Sequence, residues 1–216
     1  KMKQRQEILS GILNNYYEAG NNPGNSISSN DLKKGGLTNE VYRIWKKLDG
    51  QNDLYPLEFG GWDMILEKFI LELDEEQHFN RYRGITLESF AYHVSNCFEI
   101  SDYIKYCSTK EQDCLKKSSW GKYWTSPSSE LQFGKPGING DLNGNGSPRW
   151  RQRAYYDYLR DVFAIVYQVR LIRISIYDKL IISGRIRTIG ELLDDNCQGN
   201  NAEILKFIDQ KIKVIR

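Results

Sequence analysis

The stretch running from Trp62 to Arg83, WDMILEKFILELDEEQHFNRYR, constrains this chain more than any other. Its middle, from Lys68 to Leu73, is an apolar run that meets a burst of acid at Glu72, Asp74, Glu75 and Glu76. Such a run reads as a strand buried on both faces. Residues two apart in a strand share a side, so Glu72 and Asp74 are expected to project together while Leu73 points away. Asp63 stands nine residues before Glu72, a spacing that places a third carboxylate on the neighbouring strand of a hairpin. Three carboxylates converging on a buried strand repel one another and are costly to keep ionised. A divalent cation removes that cost, and Mg²⁺, with Mn²⁺ as its substitute, takes oxygen ligands. Asp63, Glu72 and Asp74 are therefore the candidate metal ligands. Gln77 and His78 follow at the strand's exit, positioned to support a metal-bound water or a phosphate. The bland alternative is an acidic turn facing solvent.

At 216 residues the chain has room for one good domain and a small accessory piece. Hydrophobic residues at 40% and charged ones at 27% suit a globular protein with a real core. No apolar stretch approaches the ~18 residues of a membrane span, and the start does not resemble a secretory signal. Cys97, Cys107, Cys114 and Cys197 form no C-x-x-C pair, so a zinc site is not expected. Reduced thiols in a cytoplasmic protein are the plain reading, with a Cys107–Cys114 disulfide left open. Charge is uneven along the chain. Residues 1–114 carry 13 Lys and Arg against 18 Asp and Glu, while 115–216 carry 17 against 10. The acidic part holds the proposed metal site, and the basic part suits phosphates.

Residues 3–19 read as an amphipathic helix with Ile8, Ile12, Leu13 and Tyr16 on one face. Ser29 or Asn30 caps a short helix, and Thr38 caps a longer one from Asn39 to Leu48 carrying Arg43, Lys46 and Lys47. This 1–50 segment has the outline of a helix-turn-helix, which would put those three cations on DNA. The competing reading is that Val41, Ile44, Trp45 and Leu48 pack the helix onto the core. Residues 51–216 are expected to hold the main domain, with a helical run opened by Thr86 and a long loop at 118–148. His93 in that run reads as a packing or surface residue. Lys116, Lys117, Lys122 and Lys135 lie among aromatics in and beside the loop, as suits a segment lying along DNA. Its Asp141–Gly146 stretch imitates a calcium loop but lacks the closing Glu, so no EF-hand is expected.

The second informative stretch is Arg149 to Tyr177, with a helix from Arg153 to Tyr167 and a strand from Val169 to Ile176. Arg149, Arg151 and Arg153 at the helix start oppose its dipole, which favours an anion partner. Thr188 with Glu191 makes a capping box, and Asn201 opens a last helix.

An apolar strand ending E-L-D-x-x-Q-H-F, with Asp63 upstream and Arg81 and Arg83 downstream, resembles the core of the PD-(D/E)XK nuclease superfamily. The likeness is greatest to very short patch repair and restriction-type endonucleases, and Asp157, Arg160 and Asp161 match a D-x-x-[KR]-D helix pattern of that fold. The resemblance implies an α/β (α+β) restriction-endonuclease-like core, a central mixed β-sheet flanked by helices, behind a small helical N-terminal segment. It further implies a Mg²⁺-dependent endonuclease acting on double-stranded DNA, with a homodimer as one arrangement open to it. Asp63 and Glu72 become metal ligands, and Asp74 takes the position usually held by a lysine. Asp74, Gln77 or His78 would then orient or deprotonate the water, with Lys68 the substitute for the absent lysine. Arg153 and Arg160 would clamp the phosphate. Two rival classes stay open: a DNA-binding regulator without catalysis, and a helical interaction protein of the immunity or antitoxin type.

Overall fold

The computed structural model describes residues 2–93, 98–196 and 199–214. Cys97, Cys197 and the middle of the helical run opened at Thr86 lie outside them. Helix α1 spans Met2–Leu13 and buries Leu9, Ile12 and Leu13. It stops short of Tyr16, which is exposed rather than on the apolar face. Helix α2, Ser29–Lys34, starts at Ser28, whose hydroxyl accepts the Asp31 N–H; α3, Thr38–Lys47, follows. Strands β1, Met64–Ile65, and β2, Ile70–Asp74, form the expected hairpin.

Beyond β2 the chain is helical for a long way. Asn80 caps α4, Arg81–Thr86, so this helix starts earlier than Thr86 and soon ends. Helices α5, Ile100–Thr109, and α6, Glu111–Ser118, come next. The segment read as a loop at 118–148 contains a further helix, α7, Pro127–Phe133, with a Ser126–Ser129 capping box. Trp124 and Phe133 are completely buried there, and burial of those two large rings holds the segment down. Helix α8, Pro148–Tyr167, then leads to β3, Leu171–Ser175. A hairpin of β4, Lys179–Ile182, and β5, Arg185–Thr188, precedes α9, Ile189–Asp194, and α10, Asn201–Val214.

The architecture is mixed α/β with two small open sheets. One has the order β1-β2-β3; the other is the β4–β5 hairpin. β1 runs antiparallel to β2, and β2 runs parallel to β3 from Ile70↔Leu171 to Asp74↔Ser175. Parallel neighbours require a crossover, and α8 makes its last leg. Cores form on both faces of the three-stranded sheet. Leu71, Leu73, Ile172 and Ile174 face α1, α9 and α10. Ile70 and Leu171 face α3 and α8. Alternation therefore sends Glu72, Asp74 and Arg173 towards α8.

Helix α1 packs into one core, while α2 and α3 pack into the other. Val41, Ile44, Trp45 and Leu48 are fully buried, which is the packing reading of α3. At the start of α8, Gly146 has φ +65°, and a Cβ there would lie 2.1 Å from the Tyr82 hydroxyl. That close approach sets where α8 begins relative to α4.

Candidate active site

The hairpin register Met64↔Leu71 sets Asp63 across from Glu72. Glu72 Oε1 accepts the Asp63 N–H at 3.0 Å, and Asp63 Oδ2 accepts the Leu73 N–H at 2.9 Å. Gln6 on α1 donates Nε2 to Asp63 Oδ1 at 3.2 Å. Glu72 is only 2% exposed, and burial pushes its pKa up to about 8, with the Asp63 charge adding to the shift. Burial raises Asp63 as well. The nearest cation, Arg160, leaves Nε at 3.4 Å from Glu72 Oε2, and that Nε is buried without a hydrogen-bond partner.

These groups line a cleft of about 440 Å³. Asp63, Glu72 and Glu75 form its acidic side, Arg149, Arg153, Tyr156 and Arg160 on α8 its basic side, and Gln77 and His78 lie between. Glu75 Oε1 is buried with no hydrogen bond, although Arg5 Nη1 lies 3.6 Å away, and burial raises its pKa. Arg153 donates to Gln77 Oε1, and burial lowers its pKa.

Asp74 behaves differently although it shares the face of Glu72. Its two oxygens accept from Arg173 Nη1 at 2.7 and 2.9 Å, and Oδ2 accepts from the Tyr103 hydroxyl at 2.8 Å. It is absent from the cleft lining. Arg173 also bonds Asp161 at 2.7 Å, and Arg83 completes the chain to Asp161 at 2.8 Å. His78 Nδ1 sits 2.8 Å from Asp157 and 3.2 Å from Asp74. Burial opposes a charge on His78, but the two carboxylates more than offset it, so its pKa rises. Asp157 is held well below the carboxylate range against burial, by His78, Arg173 and Arg83. Arg160 Nη1 also donates to Asp157 Oδ1 at 3.2 Å, so three guanidiniums and His78 face the three aspartates.

Several expected phosphate ligands are used otherwise. Arg83 is buried, donating to Asp161, Thr86 and Tyr92. Arg81 pairs with Glu111 at 2.8 Å. Arg151 turns away from the cleft to Asp49 at 2.6 Å and to the Leu48 and Asn145 carbonyls. On α3, Arg43 pairs with Glu40, Lys46 with Asp53 and Lys47 with Glu88. Lys68 is exposed in the β1–β2 turn, at the opposite end of β2 from Asp74, so it is no stand-in for the absent lysine. Cys107 and Cys114 are both free thiols. Gln6, Glu75, Tyr156 and Asp157 are the polar cleft residues that the sequence did not assign to the site, beside the lining Gly60 and Leu73. Only Asp157 had a signal, its D-x-x-R-D setting.

The donor set fits a hard divalent cation. The buried Glu72 and half-buried Asp63 both have raised pKa values, and Glu75, lining the same cleft, has an oxygen without a hydrogen bond. Among the described residues, the group that brings three ligand atoms within 4.8 Å of one another is a different one, Asp74, His78 and Asp157. Arg173 already neutralises that group, however, at 2.7 Å from Asp74 and 3.6 Å from Asp157. A cation there would have to displace a buried guanidinium.

Fold and cleft together define a mixed α/β protein with an acidic–basic cleft beside a parallel strand pair. The chain belongs to DUF7255, a family of unknown function, which matches residues 43–195 and so takes in the whole cleft except Gln6. No curated protein and no solved structure matches it. Among the described residues no helix is long and apolar enough to cross a membrane.

Proposed function

We propose that this protein is a metal-dependent nuclease that hydrolyses DNA phosphodiester bonds in the cleft between the β1–β2 hairpin and α8. One observation carries the reading: Asp63 and Glu72 face each other across the hairpin, Glu72 Oε1 accepting the Asp63 N–H at 3.0 Å, and the opposite wall carries Arg149 and Arg153, which bond no carboxylate among the described residues, with Arg160, which Asp157 shares. Strand β2, crossover helix α8 and parallel β3 follow the order that the PD-(D/E)XK resemblance implies, which supports the same reading.

Asp63 and Glu72 would hold Mg²⁺ or Mn²⁺, which supplies charge neutralisation at the phosphate and a more acidic water. The chain's own groups do the rest. Arg160, with its unpartnered Nε, and Arg153 bind the phosphate oxygens and stabilise the charge that grows on them. Glu75 is the general base in place of the absent lysine, because it lines the cleft with a buried oxygen that has no hydrogen bond, and burial makes that carboxylate more basic than usual. His78 has Nδ1 engaged by Asp157 and Asp74, so its Nε2–H donates to the phosphate instead of taking a proton. Gln77 holds Arg153 in place.

The test is cleavage of single-stranded and duplex DNA by purified protein with Mg²⁺ or Mn²⁺, against Asp63→Asn, Glu72→Gln and a chelator control. Cutting by wild type that each variant and the chelator abolish is expected. Equal cutting by wild type and either variant would sink the assignment.

A further inference from the structure

From Pro148 to Ala164, α8 is buried at every position except Arg149, Arg153, Tyr156 and Arg160. Those four follow one another at i, i+4, i+7 and i+11, so they make a single stripe along the helix. All four line the cleft. At ~1.5 Å per residue the stripe extends roughly 16 Å, longer than one phosphate needs. Among the described residues, Arg149 bonds only Gln152 and Arg153 only Gln77, neither of them to a carboxylate. This departs from most of the other arginines: Arg5, Arg43, Arg81, Arg83, Arg151 and Arg173 are all ion-paired.

We infer that the stripe is a track for one unpaired DNA strand, with Tyr156 as a stacking platform for a base. The inference rests on the nuclease reading and names its substrate: a single-stranded segment or frayed end. Arg160 lies against the acid pair and takes the phosphate to be cut. Arg153 and Arg149 take the phosphates that follow along the strand.

Tyr156 is the residue that separates a single strand from a duplex. Arginines bind the phosphates of either form. Tyr156 already uses its hydroxyl to accept from Gln132 Nε2 at 3.1 Å, so the ring is what it offers the cleft. In a duplex each base face is covered by its neighbours, and an enzyme reaches it only by extruding the nucleotide. Stacking on a protein ring is instead the mark of single-strand binding.

Binding is measured in chelator, so that cleavage plays no part, using a labelled single-stranded oligonucleotide and the blunt duplex of the same sequence. The single strand is expected to bind at least tenfold more tightly. Tyr156→Leu should weaken it by roughly 5- to 100-fold, and Tyr156→Phe, which keeps the ring, by less than about threefold. Because Tyr156→Leu could unfold the chain, wild type is also irradiated with an oligonucleotide carrying 5-iododeoxyuridine, and Tyr156 is expected among the crosslinked residues. Equal affinity for both DNA forms, or crosslinks that all avoid α8, would overturn the inference. No binding to either form would overturn it together with the nuclease reading. Tight single-strand binding by Tyr156 with no cleavage at any metal concentration would remove the nuclease reading and leave the track standing.

Discussion

Strand β2 carries two acids on one face, Glu72 and Asp74, and their surroundings are opposite. Asp74 is met by Arg173, Tyr103 and His78. Glu72 has a backbone N–H, another carboxylate and an arginine whose nearest nitrogen stops at 3.4 Å. The first is a compensated charge inside a core. The second is a carboxyl that burial drives towards its neutral form. Compensation of that kind gives a protein structure, whereas its absence leaves room for something to bind.

The largest effect should come from breaking the compensated side. Arg173→Met leaves Asp74 and Asp161 buried without their main cation and should cost about 3–5 kcal/mol in a urea melt. A loss under about 1 kcal/mol would mean that Asp74 is no better compensated than Glu72. Next comes the paired exchange of the two acids. Asp74→Asn weakens its bonds to Arg173 and should cost about 1–3 kcal/mol. Glu72→Gln should hold stability in chelator and raise it as pH approaches 8, since the amide cannot form the buried charge. Extra Mg²⁺ or Mn²⁺ is not expected to restore an Asp74→Asn enzyme, because Asp74 holds Arg173 and not the cleft. Rescue by metal would return it to the ligand set.

A pH series sharpens the same contrast. Glu72 has a folded pKa of about 8, above its ordinary 4.5, so its contribution is complete below about pH 4.5. Stability should then fall, by on the order of 1 kcal/mol per pH unit, as pH rises towards 8 in chelator. Glu72→Gln should remove that decline, and saturating Mg²⁺ should reduce it by favouring the ionised form. A decline of equal slope in wild type and variant would place its source elsewhere. The smallest effects separate two neighbouring arginines. Arg151→Gln should lower stability by about 1 kcal/mol and leave the salt dependence of DNA binding alone. Arg153→Gln should do the reverse, lowering the log–log salt slope by roughly 0.7 to 0.9.

The acid pair was legible because strand alternation is strict: once Lys68–Leu73 reads as a buried strand, Glu72 has one face and Asp63 one opposite position. The α8–β3 unit was legible through the change from helical to alternating pattern, and the Thr188–Glu191 capping box formed as read. What failed was assigning partners to charges. Arg83 and Arg151 look in sequence like Arg149 and Arg153, and only the fold brings Asp161 and Asp49 to the former. Asp74 was placed on the right face, but its neutralisation depends on Arg173, far along the chain. The 118–148 segment has the composition of a loop, yet Trp124 and Phe133 anchor it. The β4–β5 hairpin had a usable signal in Ser183–Gly184 between β-branched residues, and both turn residues indeed have positive φ, 50° and 76°.

The parallel pairing of β2 with β3 has a consequence for the newborn chain. Asp74 and Arg173 are 99 residues apart in sequence, and every residue of α8 lies between them. Contacts of such long range form late and slow folding. At synthesis rates of about 5–20 residues per second, the hairpin carrying Glu72 waits several seconds on the ribosome before α8 and β3 emerge. Throughout that time its acids are in water, with ordinary affinities and no arginine wall opposite. The cleft comes into existence only when α8 and β3 have been made, so a chain that stops before them carries the acids of the site with nothing opposite.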